Sequence, residues 1–205
     1  MNRGPVVVFG GTFDPPHVGH LVLAECARWQ FGAALVLFVP AGDPYRKTGT
    51  PTPEGARAGR QGKLRRVTPA ALRVEMTRLA AAGNPAFAVD ERETRREGPS
   101  YTVDTLEELR AEGWEELVLV LGSDAAADLP SWREPGRIRE LARLAAAEKP
   151  GTPVPPGFET VEMPRLEVSS TLIRERVRAG KPVRYLVPER VEAFIRERGL
   201  YRDGD

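Results

Sequence analysis

Two histidines three residues apart, His17 and His20, end the run Gly10-Gly11-Thr12-Phe13-Asp14-Pro15-Pro16-His17-Val18-Gly19-His20. The apolar run Val6-Val7-Val8-Phe9 before it predicts a buried strand, and Leu21 to Phe31 after it predicts a helix. A glycine-rich turn between strand and helix lets backbone N–H groups approach an anion closely. Two imidazoles at the mouth of that helix would face the same anion. Phosphate beside paired histidines points to phosphoryl or nucleotidyl chemistry. The turn is not a Walker A loop, because no Gly-Lys-Ser/Thr follows the glycines. It is not the Gly-x-Gly-x-x-Gly dinucleotide fingerprint either, since Phe13, Asp14 and two prolines stand in the wrong places. Pro15 and Pro16 stiffen the turn and remove two donors.

Three further clusters carry groups suited to the same chemistry. Val168-Ser169-Ser170-Thr171-Leu172-Ile173-Arg174 places hydroxyls at a predicted helix start, where free N–H groups and the helix dipole favour polyphosphate. Arg174 lies one turn on and can reach back with a forked guanidinium. Gly98 to Leu106 reads locally as a turn and a helix start, with Ser100 or Thr102 as the cap. Gly122-Ser123-Asp124 closes a predicted strand, where open α/β sheets bind their ligands, and Trp132 follows with a flat face for a ring. Taken singly, these clusters are equally an N-cap, a turn and a packing tryptophan.

Together the motifs resemble the nucleotidyltransferase superfamily with the T/H-x-G-H signature, and more narrowly the bacterial nicotinate-nucleotide adenylyltransferases. Gly10 to His20 matches the first signature, and Val168 to Arg174 matches the second with Val168 in place of isoleucine. Ser100-Tyr101-Thr102-Val103-Asp104-Thr105-Leu106 and the Asp124, Trp132, Ile138 pattern match the acceptor side. The resemblance implies transfer of AMP from ATP to nicotinate mononucleotide, giving deamido-NAD and pyrophosphate. It implies that His17, His20 and Arg174 are catalytic. Gly10, Gly11, Thr12, Phe13, Arg46, Ser169, Ser170 and Thr171 would bind ATP and its phosphates. Tyr101, Thr102, Asp124, Trp132 and Arg133 would bind the acceptor. Mg²⁺ would bridge the phosphates, mainly through water, with no ligand set from the protein. One departure stands out: Asp43-Pro44-Tyr45-Arg46-Lys47 replaces the usual Pro-Pro-His-Lys-like stretch, so either Arg46 or Lys47 would neutralise the triphosphate. Sister enzymes acting on nicotinamide mononucleotide or pantetheine phosphate, and a non-catalytic nucleotide binder, are the competing readings.

The elements that must position these groups alternate between strand and helix, which predicts a parallel sheet with helices on its faces. Strands are expected at Ala33 to Val39, Ala86 to Val89, Leu117 to Leu121, Leu144 to Ala147 and Phe158 to Met163. Helices are expected at Ala70 to Ala82, with Leu72, Met76 and Leu79 on one side, and at Tyr101 to Glu112, Arg137 to Leu141 and Thr171 to Arg178. A last helix, opened by Pro188, carries an apolar stripe of Val191, Phe194 and Ile195. The expectation is an α/β, doubly wound Rossmann-like fold with a small C-terminal helical extension over 183–205. The 205 residues would form a single nucleotidyltransferase domain.

The segment 42–69, rich in glycine, proline and basic residues, reads as a mobile loop or as a basic lid over polyphosphate. Pro150 to Gly157 reads as a plain surface connection. A net charge of +1 gives no push toward nucleic acid or membrane. No stretch approaches the roughly 20 apolar residues of a membrane span. The single cysteine, Cys26, rules out an internal disulfide and reads as a small core residue. The expected partners are ATP and nicotinate mononucleotide, the expected compartment is the cytoplasm, and a homo-oligomer is left open.

Overall fold

The computed structural model describes residues 4–49 and 66–202. Much of the expected basic loop, with Arg57, Arg60, Lys63 and Arg65, lies outside the described residues. The described residues form a parallel sheet of β1 (Val6–Gly11), β2 (Leu35–Pro40), β3 (Phe87–Val89), β4 (Leu117–Gly122), β5 (Arg143–Ala147) and β6 (Glu159–Thr160) in the order β3-β2-β1-β4-β5-β6. Because β1 lies at the centre, Val6 pairs with Leu35 on one side and Leu117 on the other. The strand order reverses between β1 and β4, and the crevice beyond their carboxyl ends is where open sheets of this order take ligands.

Alternate side chains of β1 enter different cores, which makes this a doubly wound fold. Val6 and Val8 join a cluster with Val103, Leu106 and Leu109 of α5 (Thr102–Ala111) and with Ile138 and Leu141 of α7 (Pro135–Leu141). Val7 and Phe9 join Leu23, Ala24 and Ala27 of α1 (Val18–Gln30) on the other face. Continuous apolar runs of this kind are the mark of strands buried on both faces. The short α2 (Tyr45–Thr48) and α4 (Arg92–Arg95), together with α3 (Ala70–Ala81), complete the β2-to-β4 half. On the other half, α6 (Ser123–Asp128) and a 3₁₀ turn at Leu129–Ser131 lead into α7.

After the sheet come α8 (Ser170–Arg178) and α9 (Glu189–Glu197). They bring Ile173, Val191, Ile195 and Tyr201 against Met76 and Ala80 of α3 in a third apolar cluster. The C-terminal segment therefore covers α3. Among the described residues no helix is long and apolar enough to cross a membrane.

Three expectations differ from the structure. The buried face of α3 holds Arg73, Val74, Met76, Thr77 and Ala80, whereas Leu72 and Leu79 are only half-buried. The expected strand from Phe158 to Met163 shrinks to Glu159–Thr160. There Gln30 at the end of α1 accepts from the Glu162 N–H at 3.0 Å and donates to the Thr160 carbonyl at 2.9 Å, drawing the chain off the sheet. Pro164 then offers no donor with which to resume a ladder. Cys26 is half-buried rather than in the core.

Candidate active site

The carboxyl end of β1 turns at Gly10–Gly11 into the loop that leads to α1. A β-carbon on Gly11 would stand 2.8 Å from the Phe13 ring, so this position has to be glycine for Phe13 to fold inward. At Gly10 a β-carbon would meet nothing within 4 Å, which leaves its backbone open on the cavity side. Phe13 adopts a positive φ of 49° and packs its ring 5.5 Å from Phe9 and 5.1 Å from His20. Its side chain is thus a wall behind the histidine, and only its backbone is placed to meet a phosphate.

Carbonyls of this loop are held from behind. Arg73 donates to the Thr12 carbonyl at 2.9 Å, Arg174 to that of Asp14 at 2.7 Å, and the Ser170 hydroxyl to that of Pro15 at 2.8 Å. With its carbonyls committed to these donors, the loop is fixed as a cradle before any ligand arrives.

His17 caps α1 and His20 lies in its first turn, with the two rings stacked 3.7 Å apart. The backbone N–H of His17 donates to Nδ1 of His20 at 3.1 Å. That bond leaves the proton of a neutral His20 ring on Nε2, available to an acceptor. Burial, with Lys149 adding repulsion, lowers His17 to about 4. Burial also holds His20 well below the usual histidine range, with His17, Lys149 and Lys47 reinforcing it. Both rings are therefore neutral at pH 7. They offer hydrogen bonds there rather than charge.

Two of the cations that line the cavity are lysines. Lys47 Nζ lies 2.7 Å from Thr12 Oγ1, on the phosphate loop. Arg46, its neighbour, turns the other way, pairing with Asp128 and lying 2.8 Å from Ser131 Oγ. Of the two candidates for neutralising a triphosphate, Lys47 lines the cavity and Arg46 braces α6. Lys149 Nζ is 2.9 Å from Asp124. The Ser123 hydroxyl accepts from the Lys149 backbone N–H at 2.9 Å and donates to the Thr152 carbonyl at 2.6 Å. Gly122-Ser123-Asp124 thus ties the end of β4 to the chain after β5. Glu148 and Lys149 line the cavity together with Pro150, the first residue of the expected surface connection, and none of residues 150–157 is buried. Sequence reasoning missed Lys149, because one lysine before a Pro-Gly turn carries no pattern.

At the start of α8, Ser169 Oγ accepts from the Leu172 N–H at 3.1 Å, and Thr171 Oγ1 accepts from Arg174 at 3.2 Å. Ser169 is thus an N-cap, as its local reading allowed. Arg174 is 8% exposed and serves partly as a brace for the first loop. One cavity of about 1080 Å³ is nonetheless lined by Gly10, Gly11, Thr12, Phe13, His17 and His20 from the first motif and by Ser169, Ser170, Thr171 and Arg174 from the second. Asp124 and Lys149 stand on its third side. Val161, Met163, Leu166 and Val168 supply an apolar wall, made by the segment that left the sheet.

The remaining acceptor candidates, Tyr101, Thr102, Trp132 and Arg133, do not line that cavity. Tyr101 is the N-cap residue of α5, is buried edge-on to Tyr45, and carries the Arg133 guanidinium 4.7 Å from its ring centroid. Thr102 is the first residue of α5, and Trp132 packs against the core with its Nε1 buried and without a hydrogen-bond partner. Ile138, expected to frame a ring, is fully buried core. Ser100 links this group to the β2 end, accepting from the Gly42 N–H at 2.9 Å. Gly42 is packed so closely that a β-carbon there would stand 2.1 Å from the Glu93 carbonyl.

A family model described as cytidylyltransferase-like matches residues 8–176. A protein of Roseiflexus sp. (strain RS-1), named "probable nicotinate-nucleotide adenylyltransferase", is 41% identical over 98% of this chain and 100% of its own length. One of the same name from Moorella thermoacetica is 42% identical over 97% and 92%. Among solved structures, the Plasmodium falciparum nicotinic acid mononucleotide adenylyltransferase complexed with NaAD shares the fold, with a TM-score of 0.73 over 97% of both chains at 16% identity. The same enzyme complexed with APC gives the same values. A cavity that joins the two signature motifs and relatives matched from end to end lead to one assignment: this chain belongs to the nicotinate-nucleotide adenylyltransferase family of cytidylyltransferase-like proteins.

Proposed function

We propose that the chain joins ATP to nicotinate mononucleotide, forming deamido-NAD and releasing pyrophosphate in NAD biosynthesis. The observation that carries this reading is the single cavity shared by His17, His20 and the Ser169–Arg174 cluster, with Lys47 and Lys149 among its cations. The 5′-phosphate of the acceptor attacks the α-phosphorus of ATP in line, and the bond to the bridging oxygen of pyrophosphate breaks. A phosphate monoester has a second pKa of about 6, so it is already a nucleophile at pH 7 and needs no base. The neutral histidines suit that requirement, because they can donate to phosphoryl oxygens without competing for the nucleophile's charge.

Catalysis then consists of alignment and charge stabilisation by a preformed site. His20 Nε2–H and the loop N–H groups would hold the transferring phosphoryl oxygens. Lys47 and the first turn of α8 would hold the leaving pyrophosphate. The apolar wall of Val161, Met163, Leu166 and Val168 suits adenine. Tyr101, Thr102, Asp124, Trp132 and Arg133 are assigned to the acceptor, with Asp124 on the wall of the triphosphate cavity and the other four outside it. Mg²⁺ would arrive with ATP and supply charge neutralisation on its phosphates. Among the described residues no cluster of three or more His, Cys, Asp or Glu could hold a metal. The same reading places the chain in the cytoplasm, with its ATP.

The test is a product assay. With ATP and nicotinate mononucleotide, pyrophosphate and deamido-NAD should appear in equal amounts, and faster than with nicotinamide mononucleotide or pantetheine phosphate. Failure to release pyrophosphate with any acceptor would contradict catalysis, and preference for another acceptor would reassign the substrate.

A further inference from the structure

Tyr201 lies almost at the end of the chain, yet its hydroxyl donates to Oδ1 of Asp14, inside the first motif, at 2.8 Å. Both groups are buried, with Asp14 1% and Tyr201 5% exposed. The other oxygen of Asp14 lies 3.5 Å from the Thr68 backbone N–H. Tyr201 takes a φ of +62°, which an L residue adopts only at a cost, so its surroundings hold it there. The ring is seated by the cluster of Met76, Ile173, Val191 and Ile195, and the hydroxyl is 3.8 Å from Met76 Sδ. Burial and the Asp14 carboxylate push the phenol above its usual range, so it remains a donor at any pH the protein meets.

Asp14 does not face the cavity alone. Its own carbonyl accepts from Arg174, its predecessor Phe13 backs His20, and the carbonyl of Pro15 accepts from Ser170. Moving the Asp14 carboxylate therefore moves the loop that joins both phosphate motifs. A buried carboxylate needs donors, and losing one leaves it to find another by shifting the backbone. Displacing reacting groups by about 1 Å costs on the order of 10² in rate.

We propose that Tyr201 is a positioning residue for adenylyl transfer: through Asp14 it fixes the Thr12–His17 loop, so that the C-terminal segment completes the phosphate site from behind. The inference rests on the function proposed above, and its test separates the two. In the full chain Tyr201→Phe keeps the ring and removes only the hydroxyl. At 25 °C, with the fold checked by circular dichroism, kcat should fall about 10- to 100-fold while KM for nicotinate mononucleotide stays within about threefold. Amide hydrogen exchange should rise across residues 12–20 and stay at the parent's level in β4 and β5. Asp14→Asn/Tyr201→Phe should lose no more turnover than Asp14→Asn, because the pair acts as one unit.

Turnover of Tyr201→Phe within twofold of the parent overturns the proposal. So does an exchange increase spread evenly over the molecule, or losses that simply add. Should the parent itself release no pyrophosphate, the proposed reaction fails. The exchange pattern of Tyr201→Phe then decides the positioning role alone.

Discussion

His20 makes two separable contacts, so two substitutions can separate its roles. Nδ1 accepts from the His17 N–H at 3.1 Å, and the opposite edge, Nε2–H, is left for a phosphoryl oxygen. The ring also fills space between His17, Phe13 and Phe9, with centroids 3.7, 5.1 and 5.8 Å away. Alanine would remove all three contributions and cost about 2 to 4 kcal/mol of stability from the cavity alone. Asparagine is sharper: its amide oxygen can stand where Nδ1 stands, so the His17 N–H keeps a partner, but nothing reaches the position of Nε2. His20→Asn should therefore unfold within about 1.5 kcal/mol of the parent in urea. Its kcat should fall about 10²- to 10³-fold, the loss that follows removal of one preorganised donor to a developing negative charge. Steady-state pyrophosphate release with both substrates saturating is the assay. Turnover within tenfold of the parent would show that Nε2 does not touch the transferring group.

Other perturbations probe the surroundings. Lys47→Met removes a cation 2.7 Å from Thr12 Oγ1 and should raise KM for ATP about tenfold or more, as expected for one charge-assisted bond. Arg46→Met, which frees Asp128 and Ser131, should leave KM for ATP within threefold; the reverse order would restore Arg46 to the phosphates. His17 titrates at about 4 in the fold and at 6.5 when unfolded, so on acidification the unfolded chain takes the proton first. Its share of the apoprotein's stability is complete above pH 6.5 and is lost toward pH 4, on the order of 3 kcal/mol. Urea unfolding at pH 7.5 and 4.5 should show the parent losing about that much more than His17→Asn, and parallel losses would refute it. Arg73→Met strips a buried guanidinium from the Thr12, Gly42 and Thr68 carbonyls and should cost about 3 kcal/mol or more in urea. A loss under about 1 kcal/mol would mean that those carbonyls find water.

The sheet was readable because its central strands are buried on both faces and so write themselves as unbroken apolar runs, Val6 to Phe9 and Leu117 to Leu121. The two motifs that meet in the cavity were readable because glycine, histidine and hydroxyl residues crowd into short stretches at element ends. Arg73 was not readable: an arginine on an amphipathic helix looks solvated, and only the folded loop supplies the carbonyls that make its burial worthwhile. Lys149 and Tyr201 were missed for a related reason, since each acts on a group far away in the chain. Arg46 and Lys47 are adjacent and alike in charge, and a single turn of helix sends them to different partners. Ser170 resembled a phosphate ligand by type and position, yet its hydroxyl is committed to the Pro15 carbonyl, a partner 155 positions away.

On the proposed function, the histidine pair and the α8 cluster grip one triphosphate from two sides. A crystal structure with a non-hydrolysable ATP analogue measures this directly. Phosphate oxygens are expected within hydrogen-bond distance of both His20 Nε2 and the first turn of α8, with Lys47 alongside. A triphosphate that touches only one of the two motifs, or that lies outside the cavity they share, would contradict this expectation.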